Sequence, residues 1–194
     1  MTKECVIGNY VISKQSPVFI IAEAGVNHNG DLEVAKQLVR EAKNCGADCV
    51  KFQTFKAERV VTKQAPKAPH QLKTTDPGES QVDMLKKLEM PEDAYKEIIE
   101  CCQENEIIFL STPYNIEDVD FLDQLGVPGF KLASISAAEP WLADYVAKKN
   151  KPIILSTGMA TLGEVDETVS AILETGNDQI ILLQCTTNYP SRNE

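Results

Sequence analysis

A sequence of 194 residues suits one domain, and 43% hydrophobic with 25% charged residues is the balance of an ordinary folded chain. That balance excludes a disordered chain, a collagen-like repeat and a low-complexity scaffold. The net charge of −10 argues against sequence-independent binding to nucleic acid or to an anionic membrane, and no apolar run approaches the roughly 20 residues of a transmembrane helix.

In chain order, Met1 to Tyr10 has no basic stretch followed by an apolar core, so no signal peptide is expected. Val6–Ile12 reads as a hairpin with a Gly8-Asn9 turn. Residues 1–17 are therefore set apart from 18–194, as a hairpin suited to plug the N-terminal mouth of a barrel. Val18–Ala22 is the first strand of a βα series, followed by Glu23-Ala24-Gly25. Leu32, Ala35, Leu38, Val39, Ala42 and Cys45 share one helical face, which predicts a helix over 31–45 ended by Gly46. Ala47–Gln53 is the second strand. Thr54–Glu79, rich in Lys, Thr and Pro, is a connection of a length that is usually functional or disordered. A helical stretch begins at Ser80 and restarts at Pro91, a good first helical residue.

Ile107–Leu110 is the third strand, and the helix Ile116–Leu125 stops at Gly126. Gly129–Ala133 is the fourth strand, a helix starts near Pro140, and Pro152–Leu155 is the fifth strand. Thr161-Leu162-Gly163-Glu164 fits a capping box that opens a helix running to Gly176. Gln179–Leu183 is the sixth strand. This rhythm predicts a parallel sheet in chain order with right-handed crossovers, curved like a barrel with a gap. A complete eight-stranded barrel takes about 250 residues. The expectation is an α/β fold, either a TIM (β/α)8-type barrel truncated after about six βα units or an open six-stranded sheet. Six cysteines without a CxxC pair, and only His28 and His70 beside them, favour neither disulfides nor zinc. A reduced, cytoplasmic protein with buried thiols is expected.

Polar residues collect at one end of these strands. Glu23 follows the first, Lys51 and Gln53 share a face of the second, and Ser111-Thr112-Pro113 ends the third. Lys131 lies in the fourth and runs into Ser134, Ser156-Thr157-Gly158-Met159 ends the fifth, and Gln184-Cys185-Thr186 ends the sixth. Parallel α/β folds carry their sites at this edge. Two lysines, several hydroxyls and a glycine turn suit a phosphate plus a carboxylate, and a glutamate beside them suits proton transfer. A single strand lysine more often snorkels from a barrel end than catalyses, and His28 reads as a loop residue. The shared edge of all six strands is what points to a site.

Glu23-Ala24-Gly25-Val26-Asn27-His28-Asn29-Gly30, Lys51-Phe52-Gln53, Ser111-Thr112-Pro113, Ser156-Thr157-Gly158-Met159 and Cys185-Thr186-Thr187 with Tyr189-Pro190 resemble the sialic acid synthase family. Ala68 to Thr75, with Glu79-Ser80-Gln81, resembles its N-acetylneuraminate and legionaminate branch. The resemblance implies a TIM barrel that condenses phosphoenolpyruvate with an N-acetylmannosamine-like or 2,4-diacetamido sugar, giving a nine-carbon 2-keto acid and free phosphate. It implies Glu23 in proton transfer or cation stabilisation. Lys51, Thr112, Lys131, Ser134, Ser156 and Gly158 would hold phosphoenolpyruvate, and Gln53 and Tyr189 would touch the sugar.

The resemblance further implies a divalent metal, Mn²⁺ or Mg²⁺, whose histidine ligands lie outside this chain, since neither His28 nor His70 matches them. It implies a homodimer whose C-terminal antifreeze-like domain completes the partner's sugar site, a domain this chain is expected to lack. Ile135-Ser136 and Gln184-Cys185 stand where the family carries an acidic pair and a His-Cys. No turnover is expected of the 194-residue chain alone. Two other readings stay open here: a Schiff-base aldolase using Lys51 or Lys131, and a non-catalytic, truncated chain.

Overall fold

The protein is described by a computed structural model covering residues 4–68, 71–76 and 78–187. A hairpin of β1 (Cys5–Ile7) and β2 (Tyr10–Ile12) comes first, paired antiparallel. Gly8, at φ +60°, takes the first central position of its turn, where the twist of a two-residue hairpin asks for a left-handed residue. After β3 (Ile21–Gly25), α1 (Leu32–Asn44) returns the chain to β4 (Cys49–Thr54). The next connection carries α2 (Ala57–Val60), α3 (Gln71–Thr74), α4 (Gln81–Lys86) and α5 (Ala94–Glu104) before β5 (Ile108–Pro113). Then follow α6 (Ile116–Gln124), β6 (Phe130–Leu132), α7 (Ile135–Ala138), α8 (Pro140–Ala147), β7 (Ile153–Ser156), α9 (Leu162–Glu174) and β8 (Ile180–Leu183).

The helix ends follow local chemistry. Asp31 Oδ1 accepts the Glu33 and Val34 amides at 2.8 and 3.0 Å and starts α1. Thr161 and Glu164 cap each other reciprocally at the start of α9. Pro91 does not start α5: the helix begins at Ala94, whose amide first closes a turn on the Pro91 carbonyl. The first sheet strand also starts later than its apolar run, at Ile21, leaving Val18 largely exposed. Asp48 draws off the preceding residue, since its Oδ2 takes the Ile20 amide at 2.7 Å.

All strand pairs beyond the hairpin are parallel, in the chain order β3-β4-β5 and β6-β7-β8. The single continuous sheet expected from sequence is instead two three-stranded ladders, with β5 and β6 lying alongside each other at the break. β6 is three residues long and follows Pro128, and its Phe130 amide is given to the Pro152 carbonyl on the β7 side. The long connection after β4 is not structureless. Lys67, buried, donates to Thr75 Oγ1 at 3.0 Å, the Asp76 carbonyl at 2.6 Å and Glu79 Oε1 at 3.1 Å, and Glu79 also pairs with Lys87.

Period-two alternation sorts the strand residues onto two faces. Val50, Phe52, Phe109, Phe130, Leu132, Ile153 and Leu155 meet Val39, Ile98, Val119, Leu122, Val146 and Ile172 of the helices in the main core. Each such side chain withdraws enough apolar surface for roughly 1.5–3 kcal/mol. The opposite face holds a second cluster of Cys49, Leu110 and Ile154. Ile7 of the hairpin is fully buried within that cluster, so β1 closes the end of the inner face where β4 begins. Among the described residues no cysteine is joined in a disulfide.

Candidate active site

The inner face changes character along its length. Near the hairpin it is apolar, and one turn of alternation further it carries Glu23, Lys51, Gln53, Thr112, Lys131 and Ser156. Glu23 and Lys51 are partners in the β3–β4 register, and Gln53 faces Thr112 in the β4–β5 register. The Lys51 ammonium lies 2.7 Å from Glu23 Oε2 and 3.0 Å from Oε1, and donates to Thr112 Oγ1 at 3.4 Å. Lys51 and Thr112 are buried while the Glu23 side chain is half exposed, so the carboxylate faces the opening and the ammonium lies behind it.

Gly25 makes this arrangement possible. It sits at φ +54° where the β3–β4 register shifts, and a Cβ there would lie 2.9 Å from Glu23 Oε1. The same Cβ position would lie 3.8 Å from Gln53 Nε2, so the carboxylate and the amide both flank Gly25.

The second ladder adds a second cation. Lys131 Nζ donates to Ser156 Oγ at 2.6 Å and to the Leu132 carbonyl at 2.9 Å. Burial and then the positive charge of Lys51 lower its pKa from 10.5 to about 8, while Cys185 and Glu23 pull the other way. The two lysines therefore act on one another across the two ladders. Two buried ammonium groups with two hydroxyls lie at the C-terminal strand ends, a donor set that suits a polyanion, and one half-exposed carboxylate stands at its edge.

The other candidate residues fall in different situations. Ser134 is half-buried at the start of α7, and its side chain does not cap that helix. Gly158 approaches a protein backbone: a Cβ would sit 3.2 Å from the Cys185 carbonyl carbon and oxygen, so this glycine seats the fifth βα turn on the chain after β8. Tyr189 and His70 lie outside the described residues. His28 is buried, its Nδ1 accepts the Gly30 amide at 2.9 Å, and burial lowers its pKa. It is a turn-forming residue.

Among the described residues no group of three or more His, Cys, Asp or Glu side chains is disposed to hold a metal ion. Glu23, already paired with Lys51, is the one carboxylate of the six inner-face polar residues. The divalent metal implied by the resemblance does not fit the donors described, and no chemical step is derived through it. No helix is long and apolar enough to cross a membrane among the described residues.

Sequence reasoning missed the support around the site. Tyr114, directly after Ser111-Thr112-Pro113, donates its phenol proton to Gln53 Oε1 at 3.2 Å. Its backbone amide meets Asp118 Oδ2 at 3.3 Å. Asp118 is buried, with the Arg59 guanidinium 3.8 Å away, and burial pushes its pKa up to about 6. Asp118 also borders a cleft of about 300 Å³ with Phe55, Arg59, Tyr95 and Phe121, on the helix side of the sheet. Position after a strand-end motif was a signal for Tyr114; nothing local marks Asp118 as buried.

Parallel βα units with a cation-lined inner edge, carrying these motifs in this order, define a family. The chain belongs to the NeuB family, whose sequence pattern matches residues 38–194, and this is the sialic acid synthase family its motifs resemble. It is similar to the N,N'-diacetyllegionaminic acid synthase of Campylobacter jejuni, 50% identical over 174 residues that cover 89% of this chain and 52% of that protein. The N-acetylneuraminate-9-phosphate synthase of Mus musculus is 37% identical over 187 residues, covering 96% of this chain and 51% of that one. The crystal structure of a sialic acid synthetase from Leptospira borgpetersenii superposes with a TM-score of 0.87 at 30% identity, over 100% of this chain and 62% of that one. The chain spans about half the length of the curated relatives it matches.

Proposed function

We propose that this chain forms the phosphoenolpyruvate-binding part of a TIM-barrel synthase that makes a nine-carbon sialic- or legionaminic-type acid. The observation that carries the reading is the pair of buried lysines, Lys51 and Lys131, on one inner face with Glu23, Thr112 and Ser156. A phosphate and a carboxylate on one small molecule match two cations set apart by a strand. Ser134 completes this anion site in the proposal, Gly158 shapes the turn beside it by packing on Cys185, and Gln53 and Tyr189 meet the acylamino sugar.

In the reaction, C3 of phosphoenolpyruvate forms a carbon–carbon bond with the open-chain aldehyde carbon of the sugar, and the aldehyde oxygen takes up a proton. Water adds at C2 and gives up a proton, and the tetrahedral adduct expels phosphate to leave the 2-keto acid. Lys51 and Lys131 hold the phosphate and carboxylate through both stages, with Thr112 and Ser156 orienting them. Glu23, half exposed beside the reacting end, moves the proton or faces the positive charge that develops at C2. The divalent metal and the dimer implied by the resemblance belong to the same proposal, with metal donors other than the residues described.

Calorimetric titration of phosphoenolpyruvate into the chain tests the site. Binding weakened about tenfold or more in Lys51→Met and in Lys131→Met supports the proposal, and wild-type affinity in either variant sinks it. The lowered pKa of Lys131 keeps one alternative in play, a Schiff-base aldolase. Borohydride trapping of pyruvate on Lys131 selects that alternative, and its failure with intact phosphoenolpyruvate binding selects the synthase.

A further inference from the structure

Gln53 sets a primary amide beside Gly25 and Glu23, and an amide has a donor end and an acceptor end. Which end Gln53 turns toward Glu23 decides what it can bind there, because the Nε2 end meets only acceptor atoms and the Oε1 end only donors. The residue that meets the other end of the amide lies just past the end of β5. The Tyr114 phenol reaches Gln53 Oε1 at 3.2 Å, and the Nε2 end lies toward Gly25 and the Glu23 carboxylate. The negative charge of Glu23 favours the same orientation, since it attracts the amide protons and repels the oxygen.

Tyr114 is itself held on two sides. Phe55 meets its ring edge-on at a centroid distance of 6.0 Å and an interplanar angle of 82°, and Asp118 accepts its backbone amide. The backbone of Gln53 is fixed separately, through its carbonyl, by the Tyr95 hydroxyl at 3.3 Å. The side chain of Gln53 therefore depends on Tyr114 while its main chain does not.

We infer that Tyr114 is a positioning residue that locks Gln53 with its amide donor facing the site, so that Gln53 recognises an acceptor oxygen of the sugar. The inference rests on the proposed reading of Gln53 as a sugar contact. It adds the residue that sets the polarity of that contact and the class of atom it takes: a hydroxyl, aldehyde or acyl carbonyl oxygen.

A double-mutant cycle tests it, with Tyr114→Phe, Gln53→Met and the pair in the 194-residue chain. N-acetylmannosamine is titrated into chain saturated with phosphoenolpyruvate, phosphoenolpyruvate affinity is measured separately, and the Gln53 side-chain amide is followed by ¹⁵N–¹H NMR. Tyr114→Phe is expected to weaken sugar binding about 3- to 10-fold, the range of one ordered hydrogen bond. In the Gln53→Met background the same change should have no further effect, and phosphoenolpyruvate affinity should stay within about twofold throughout. Equal losses in both backgrounds, or a parallel loss of phosphoenolpyruvate affinity, would show that Tyr114 only supports the fold and would overturn the inference. Sugar binding that ignores Gln53→Met removes the sugar reading of Gln53 instead; where the isolated chain binds no sugar, the NMR arm alone carries the test. The positioning itself is then decided by NMR: Tyr114→Phe must shift the Gln53 amide resonances and speed their exchange with water, and unchanged resonances overturn it.

Discussion

Glu23 and Lys51 face each other across the β3–β4 ladder, with the carboxylate 2.7 Å from the ammonium, yet only the lysine is buried. Removing the lysine leaves a carboxylate in reach of water. Removing the carboxylate leaves a buried ammonium with Thr112 Oγ1 at 3.4 Å. The two variants should therefore differ in kind. Lys51→Met should leave thermal stability nearly unchanged and weaken phosphoenolpyruvate binding about 10- to 150-fold, the loss of roughly 1.5–3 kcal/mol for a charge-assisted contact. Glu23→Gln should lower stability by about 1 kcal/mol, with phosphoenolpyruvate affinity retained or raised. Paired unfolding and calorimetric measurements check the asymmetry; equal stability losses would refute it.

Lys131 is where stability and binding oppose each other. With a folded pKa near 8 against 10.5 in the open chain, it costs nothing above pH 10.5 and its full penalty is present below pH 8. Lys131→Met should accordingly stabilise the fold at pH 7, by an amount on the order of 1–3 kcal/mol, and this gain should shrink as pH rises from 8 toward 10.5. A bound phosphate restores the ammonium, so phosphoenolpyruvate binding near pH 8 should take up protons. Titrations in two buffers of different ionisation enthalpy measure that uptake, and identical enthalpies would count against it.

Asp118 titrates in the opposite sense. Its folded pKa near 6 lies above the ordinary 3.8, so the cost of ionising it is absent below pH 3.8 and complete above pH 6. Asp118→Asn retains an oxygen for the Tyr114 amide and removes the charge. The variant should exceed the wild type by about 1–3 kcal/mol at pH 7.5, and the difference should close between pH 6 and 4. Denaturant unfolding at several pH values reads the difference; a gap that does not depend on pH would show that Asp118 is not the titrating group.

Gly25→Ala combines backbone strain with a collision at the site. A side chain at φ +54° costs roughly 1–2 kcal/mol, and its Cβ would press on Glu23 Oε1 from 2.9 Å. Stability should fall by that amount, and Glu23 should leave Lys51. A crystal structure of the variant with the 2.7 Å contact intact would contradict this.

Much of the fold was legible because its causes are local. The apolar spacing of α1, the Asp31 cap, the Thr161–Glu164 capping box and the Gly46, Gly126 and Gly176 stops are each decided within one or two turns of chain. The apolar run at Val18–Ile20 misled because Asp48, 28 residues away from Ile20, competes for its backbone. The break between β5 and β6 was hidden for a similar reason, since a three-residue strand looks like any other until its second neighbour is known.

The sequence by itself determined which residue types stand at the strand ends and, by alternation, that Glu23, Lys51, Gln53, Thr112, Lys131 and Ser156 share a face. Chemistry of that kind is written in residue identity and a period of two. Only the tertiary structure decided that Lys51 is buried behind Glu23, that Lys131 feels the charge of Lys51, that Gly158 serves the turn against Cys185, and that Tyr114 holds Gln53. Charge coupling, burial and hydrogen-bond polarity depend on distance through space, and the residues that set them here are 27 to 80 positions apart along the chain.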